Sequence, residues 1–228
     1  MRCLTLADAL SEQSATCVFA CRAFPGNLID VIRQRNHQVR ALPFAEQGAS
    51  QTFSQSGDAR LAHAAWLGAD WAEDAGQARI ALGDMPFDWL IVDHYGIDVR
   101  WEHSLRPACR SLMVIDDITD RTHDCDVLLN QNLGRSAADY GGLIPPGCRV
   151  LAGPTYALLR PEFAALRPRS LARRATPRLE HLLITMGGVD KDNATGMVLD
   201  ALRGCSLPAA CRISVVMGPH APWLERVR

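Results

Sequence analysis

The stretch Trp89-Leu90-Ile91-Val92-Asp93-His94-Tyr95-Gly96 decides the fold. Leu90, Ile91 and Val92 form a continuous apolar run closed by polar residues and a glycine, the pattern of a strand buried on both faces. In open α/β sheets, ligands sit beyond the carboxyl ends of the strands. Asp93, His94 and Tyr95 therefore place a carboxylate, an imidazole and a phenol where such folds carry their sites. The plainer alternative is a strand that simply ends in polar residues, with Asp93 capping the next turn.

Working outward, apolar periodicity predicts alternating helices and strands. A helix covers Arg2–Gln13, opening without a capping residue and without a strand before it. A strand follows at Ala15–Cys21, a turn at Pro25-Gly26-Asn27, a helix at Leu28–Arg35 and a strand at Gln38–Leu42. Gln47–Gly57, rich in Ser, Gln and Gly, reads as a loop, and Asp58–Ala81 as one long Ala-rich helix. Beyond the central strand come a helix at Val99–Leu105, a strand at Ser111–Ile115 ending in Asp116-Asp117, and a strand at Cys125–Leu129 ending in Asn130-Gln131-Asn132. Strands alternating with helices imply a mostly parallel sheet covered by helices. Residues 166–179 hold five Arg and two Pro with little apolar pattern, which reads as a linker. A second alternation follows: a strand at His181–Thr185, a Gly187-Gly188 turn, a helix at Asn193–Arg203, a strand at Cys211–Met217 and a helix start at Pro222–Arg228. The expected domains are thus 1–165 and 180–228, with both ends looking cut: the first domain lacks an opening strand and the second has only two strands.

Composition narrows the function. The 228 residues carry a net charge of -1, with 48% hydrophobic and 21% charged residues. This is ordinary for a globular chain and gives no broad basic surface for nucleic acid. No apolar run reaches the length of a membrane span, and the N-terminus lacks a signal-peptide layout. The eight cysteines include no Cys-x-x-Cys pair, and several lie inside apolar runs. They read as buried free thiols of a cytoplasmic protein.

Four further stretches could carry chemistry. Asp116-Asp117 closes a strand, and adjacent residues on extended chain point opposite ways. One structural and one site-facing carboxylate are therefore expected, rather than a paired acid and base or a metal pair. Asn130 and Asn132, two apart, could share one face and bond sugar hydroxyls or acetamido groups, or simply build an amide-rich turn. Tyr156 lies in Gly153-Pro154-Thr155-Tyr156, either at a junction or at a ligand. Gly187-Gly188, followed by Asp190, precedes a helix whose free N–H groups could meet a phosphate; Asp190 could equally cap that helix.

In order, the strings MRCLTLADAL, DWLIVDHYGID, IDD, CDVLLNQN, ADYGGLIP, GPTYALLRPEF and MGGVDKDN closely resemble the bacterial UDP-sugar hydrolases of pseudaminic acid biosynthesis. The resemblance runs from Met1 to about Asn193 and continues more weakly beyond. It implies two Rossmann-like domains of the GT-B type with the ligand between them, and no metal or other cofactor. It further implies attack by water on the anomeric carbon of UDP-2,4-diacetamido-2,4,6-trideoxy-β-L-altropyranose, releasing UDP and a free sugar that feeds a nonulosonic acid used on flagellin or surface glycan. A diphosphate held by N–H dipoles leaves readily, so such a reaction needs a base or a water-orienting group more than an acid. By this resemblance Tyr95 is the principal site residue. Arg2, Asp93, Asn130, Asn132, Tyr156, Gly187, Gly188 and Asp190 are substrate-binding positions. The family's catalytic His would align two positions upstream of Met1, so a fragment with little activity of its own is expected, monomeric when full length. His94 is expected to pack rather than to act as base. A GT-B glycosyltransferase and a non-catalytic nucleotide-sugar binding module are the alternatives.

Overall fold

The computed structural model describes residues 1–44, 61–84 and 86–228. The loop expected at Gln47–Gly57 lies outside them, as do the first residues of the helix expected at Asp58–Ala81. The chain forms two compact units, Met1–Arg160 and Pro161–Arg228. Both are α/β, and every strand pair is parallel.

The first unit opens with α1 (Arg2–Glu12), which buries Leu4 and Ala7 and has no side-chain N-cap. Then come β1 (Val18–Arg22), α2 (Ile29–Gln34), β2 (Gln38–Leu42), α3 (Trp71–Leu82), β3 (Phe87–Val92), α4 (Val99–Leu105), β4 (Cys109–Ile115), β5 (Val127–Asn130) and β6 (Arg149–Ala152). β1 and β2 form one two-stranded sheet, and β3-β4-β5-β6 form a four-stranded sheet whose spatial order follows the sequence. The expected central strand is therefore corrected. β3 is an edge of its sheet, and Trp89 is 50% exposed. The strands flanked on both sides are β4 and β5, and these supply the most buried residues: Leu112, Val114, Ile115, Leu128 and Leu129. Each such side chain contributes about 1.5–3 kcal/mol by leaving water. The apolar run Leu90–Val92 cannot by itself distinguish an inner strand from an edge strand covered by helices.

The long helix expected over Asp58–Ala81 is two pieces among the described residues. A 3-10 turn, Ala64–Leu67, ends at Gly68 with φ 72°. α3 then starts afresh at Asp70, whose carboxylate accepts from Ala72 N–H at 2.9 Å. A cap of that kind resets the chain, which periodicity alone does not register. α3 packs on β1, β2 and α4. Its buried Asp74 pairs with Arg22 at the end of β1 and accepts from Trp101 Nε1 of α4 at 2.8 Å.

The second unit contains α5 (Pro161–Arg174), β7 (His181–Thr185), α6 (Ala194–Arg203), β8 (Arg212–Val216) and α7 (Leu224–Val227). Most of the stretch expected as a linker is thus helical. Pro161 stands at the first helical position, where its missing N–H costs nothing, and Pro168 is accommodated inside. The helix buries no residue, and the Arg- and Pro-rich composition of 166–179 masks it in the sequence. β7 and β8 pair in parallel, while Leu183, Ile213 and Val216 remain exposed. No helix of the described residues is long and apolar enough to cross a membrane.

Candidate functional site

The polar residues at the carboxyl ends of β3 and β4 converge with the first residues of α1. Arg2 grips Asp93 with two parallel bonds, Nε to Oδ2 at 3.0 Å and Nη2 to Oδ1 at 2.6 Å. This fork-on-carboxylate pairing is the strong form of the interaction. Nη1 of the same guanidinium reaches Asp117 Oδ2 at 3.3 Å, and the Cys3 thiol donates to Asp93 Oδ2 at 3.1 Å. Burial alone would raise the Asp93 carboxyl, but the Arg2 and Cys3 hydrogen bonds and the Arg2 charge hold it below its ordinary range. Burial and the neighbouring Asp93 push the Cys3 thiol up to about 12, so it stays protonated. Tyr95 stands beside Asp117, whose carboxylate raises the phenol above its usual value.

The cluster thus unites Arg2, Asp93 and Tyr95 with Asp117, one of the two carboxylates expected at the end of its strand. Arg2 is engaged by two carboxylates, so its charge is neutralised within the cluster rather than offered to an anion. Two carboxylates against one guanidinium suit a neutral polar ligand better than a diphosphate. Asp117 Oδ1 is buried and has no hydrogen-bond partner among the described residues. A buried acceptor of this kind is costly unless a donor arrives to meet it.

Asp116 and Asp117 do point apart. Asp116 is fully buried, pairs with Arg121 Nη1 at 2.9 Å, accepts from Thr119 N–H at 3.0 Å, and its backbone carbonyl accepts from Tyr140 at 2.8 Å. Arg121 is buried too; its Nε donates to Ile97 O at 2.7 Å and Nη2 to His94 O at 3.4 Å. Arg121 thereby clamps the turn carrying Tyr95 onto the end of β4. Deeper still, the buried Glu102 accepts from Asp124 N–H at 2.6 Å and meets the buried His123 Nδ1 at 2.6 Å. No residue pattern announces this support. Arg121, His123 and Glu102 look like surface residues until the fold closes over them, although Tyr140 sits within the ADYGGLIP string.

His94 is held as expected. Its Nδ1 accepts from Gly96 N–H at 3.0 Å, and the ring hydrogen-bonds the backbone of Trp66. Burial lowers its pKa, with the Asp74 charge opposing. An Nδ1 that accepts belongs to a neutral imidazole with Nε2 protonated. Above Tyr95, the rings of His63 and Trp66 come close: His63–Trp66 centroids are 4.4 Å apart, His63–Tyr95 5.7 Å and Trp66–Tyr95 5.9 Å.

Asn130 and Asn132 do not share a face. Asn130 is fully buried; its Nδ2 donates to Tyr140 Oη at 2.9 Å, and its Oδ1 accepts from Asn132 N–H at 3.0 Å. An Asx turn uses up the first amide and leaves Asn132 exposed beyond the strand. Tyr156, in a 3-10 turn after β6, is exposed. In the second unit, Gly187 has φ 83°, and Gly188 O accepts from Gly218 N–H at 3.1 Å. Asp190 turns its carboxylate onto the start of α6, accepting from Ala194 N–H at 2.8 Å and Thr195 N–H at 3.0 Å, which lowers its pKa. Asn193 takes Gly196 N–H. The donors that could have met a phosphate at this helix start are already occupied by the protein.

Fold and cluster together define a parallel α/β protein, consistent with a Rossmann-like architecture, with converging polar groups at the carboxyl ends of its strands. No family model matches the chain. The resemblance drawn from its motifs is borne out. A protein of Campylobacter jejuni named UDP-2,4-diacetamido-2,4,6-trideoxy-beta-L-altropyranose hydrolase is 34% identical over 144 residues, 62% of this chain and 48% of that protein. An uncharacterized protein of Methanocaldococcus jannaschii is 28% identical over 142 residues, 61% of this chain and 29% of that protein. The chain spans about half the length of the first and less of the second.

Proposed function

We propose that this chain supplies the sugar-binding side of a UDP-sugar hydrolase of pseudaminic acid biosynthesis, acting in the cytoplasm on a 2,4-diacetamido-2,4,6-trideoxy sugar within a GT-B-like arrangement. The observation that carries the reading is the Arg2–Asp93–Tyr95–Asp117 cluster, with its unpartnered Asp117 oxygen, in a chain similar to a protein named for that hydrolysis. The Tyr95 hydroxyl, held by Asp117, contacts the sugar near the anomeric carbon. The Asp117 oxygen without a partner takes a hydroxyl or amide N–H of the ligand, or orients the attacking water. Arg2 bridges the two carboxylates, while Arg121 fixes the turn from below. Asn132 and Tyr156 line the same sheet end and offer an amide and a phenol to the sugar substituents; Asn130 positions Asn132. Gly187, Gly188 and Asp190 shape a separate loop in the second unit.

The test is titration of the chain with the UDP-sugar named by the relative, with released UDP measured in the absence of any acceptor. Binding is the expected result, and any UDP released needs no acceptor. UDP that appears only when an acceptor sugar is supplied makes the protein a transferase, and absence of binding overturns the reading.

A further inference from the structure

We propose that Trp66, His63 and Tyr95 form an aromatic shelf that stacks on the carbohydrate of the UDP-sugar and favours sugars with a deoxygenated, N-acetylated face. The proposal rests on the UDP-sugar reading above and names the subsite that reads the sugar.

The shelf is built rather than incidental. Trp66 is 57% exposed, although its neighbour Leu67 is buried in the core. Leu67 pins the 3-10 turn, and Gly68 ends it in a left-handed conformation at a point where a Cβ would lie 2.5 Å from the Phe24 ring. The turn is therefore fixed at both its buried residue and its exit, with Trp66 facing outward. On its other side, the hydrogen bond of His94 to the Trp66 backbone and the close approach of Gly96 to His63 O hold the turn against the one that carries Tyr95. The three rings are tilted or edge-on to one another, an arrangement that leaves ring surface open instead of stacking it shut.

The same Tyr95 joins this apolar surface to the carboxylates of Asp93 and Asp117. A pyranose presents two kinds of surface, C–H groups on its faces and hydroxyl or amide donors at its rim. Electron-rich ring faces suit the first and the unpartnered Asp117 oxygen the second. Replacing hydroxyls by hydrogen at C6 and by acetamido groups at C2 and C4 enlarges the apolar face and leaves N–H donors at the rim. That is the chemistry the shelf and the carboxylates jointly accept.

The experiment titrates wild type, Trp66→Ala, Trp66→Phe and His63→Ala with UDP-2,4-diacetamido-2,4,6-trideoxy-β-L-altropyranose, UDP-N-acetylglucosamine and UDP alone, after thermal melts establish that each variant folds. Trp66→Ala should weaken the diacetamido UDP-sugar about tenfold, the scale of losing one aromatic stack. Trp66→Phe should retain most of the affinity, His63→Ala should weaken it as well, and UDP alone should bind all four proteins equally. Wild type should prefer the trideoxy sugar over UDP-N-acetylglucosamine. Wild-type affinity in both Trp66→Ala and His63→Ala overturns the shelf while leaving the hydrolase reading standing, as does an equal loss for UDP alone. A wild-type chain that binds none of the UDP-sugars overturns the hydrolase reading, and the shelf with it.

Discussion

Gly96→Ala probes the closest contact in the site. An added Cβ would lie 2.9 Å from the His63 carbonyl oxygen and 3.1 and 3.2 Å from the His94 ring. The first neighbour is backbone and cannot swing aside, so the turns at 63–67 and 94–97 must separate. Forcing a methyl into a packed position costs about 1–3 kcal/mol. Against this, Gly→Ala where the backbone tolerates it stabilises by about 0.4–1 kcal/mol through the unfolded chain. Sterics win, leaving a net loss of about 1–2 kcal/mol, which for a chain of this size lowers the melting temperature by about 2–8 °C. Urea unfolding, followed by tryptophan fluorescence and by circular dichroism, measures the change. Repeating it on His94→Ala separates the contributions. Two of the three contacts vanish there, so the Gly96→Ala penalty should shrink but persist through the His63 carbonyl. A Gly96→Ala midpoint equal to or above that of wild type would refute this account of how the Tyr95 turn is held.

Two further outcomes follow from the support beneath the site. Arg121→Ala leaves the buried Asp116 carboxylate unpaired and frees the Ile97 and His94 carbonyls, so it should destabilise by about 3–5 kcal/mol in urea unfolding; Arg121→Lys, which keeps the charge but not the fork, should recover only part of the loss. The lowered pKa of His94 sets a pH dependence. Its contribution is complete above the ordinary value of 6.5 and is lost as pH falls from there toward the lowered folded value, because the unfolded chain takes up the proton first. Asp93, held below its ordinary 3.8, adds stability above that value which is lost only in stronger acid. Urea midpoints between pH 7.5 and 5 should therefore fall in wild type and flatten in His94→Asn, which keeps an acceptor for Gly96 N–H but does not titrate.

Local pattern made some elements legible to the residue. Gln38–Leu42, Val99–Leu105 and His181–Thr185 are bounded by clear polar breaks and stand as expected. What failed depended on neighbours. β3 is an edge strand, because an apolar run reports burial but not which strands flank it. The Ala-rich stretch broke at Asp70, because a capping carboxylate outweighed continued periodicity. α5 went unseen, because five Arg and two Pro within 166–179 read as a solvated connector. At the site, Asp93 and Tyr95 were legible as polar residues at a strand end, and the opposed directions of Asp116 and Asp117 followed from extended geometry. Asn130 could be read as a ligand contact or a turn amide, and the folded chain spends its amide in the turn. Trp66 and His63 carried no signal at all, since only the folded chain brings them to Tyr95.

In the proposed reading, a nucleotide sugar meets this protein at the carboxyl ends of β3 and β4. Backbone amide shifts of the isotope-labelled chain, titrated with UDP-2,4-diacetamido-2,4,6-trideoxy-β-L-altropyranose, test it most directly. The largest shifts should fall at residues 2–3, 63–67, 93–97 and 117. Shifts confined to the amino ends of those strands, or none at saturating ligand, would contradict it.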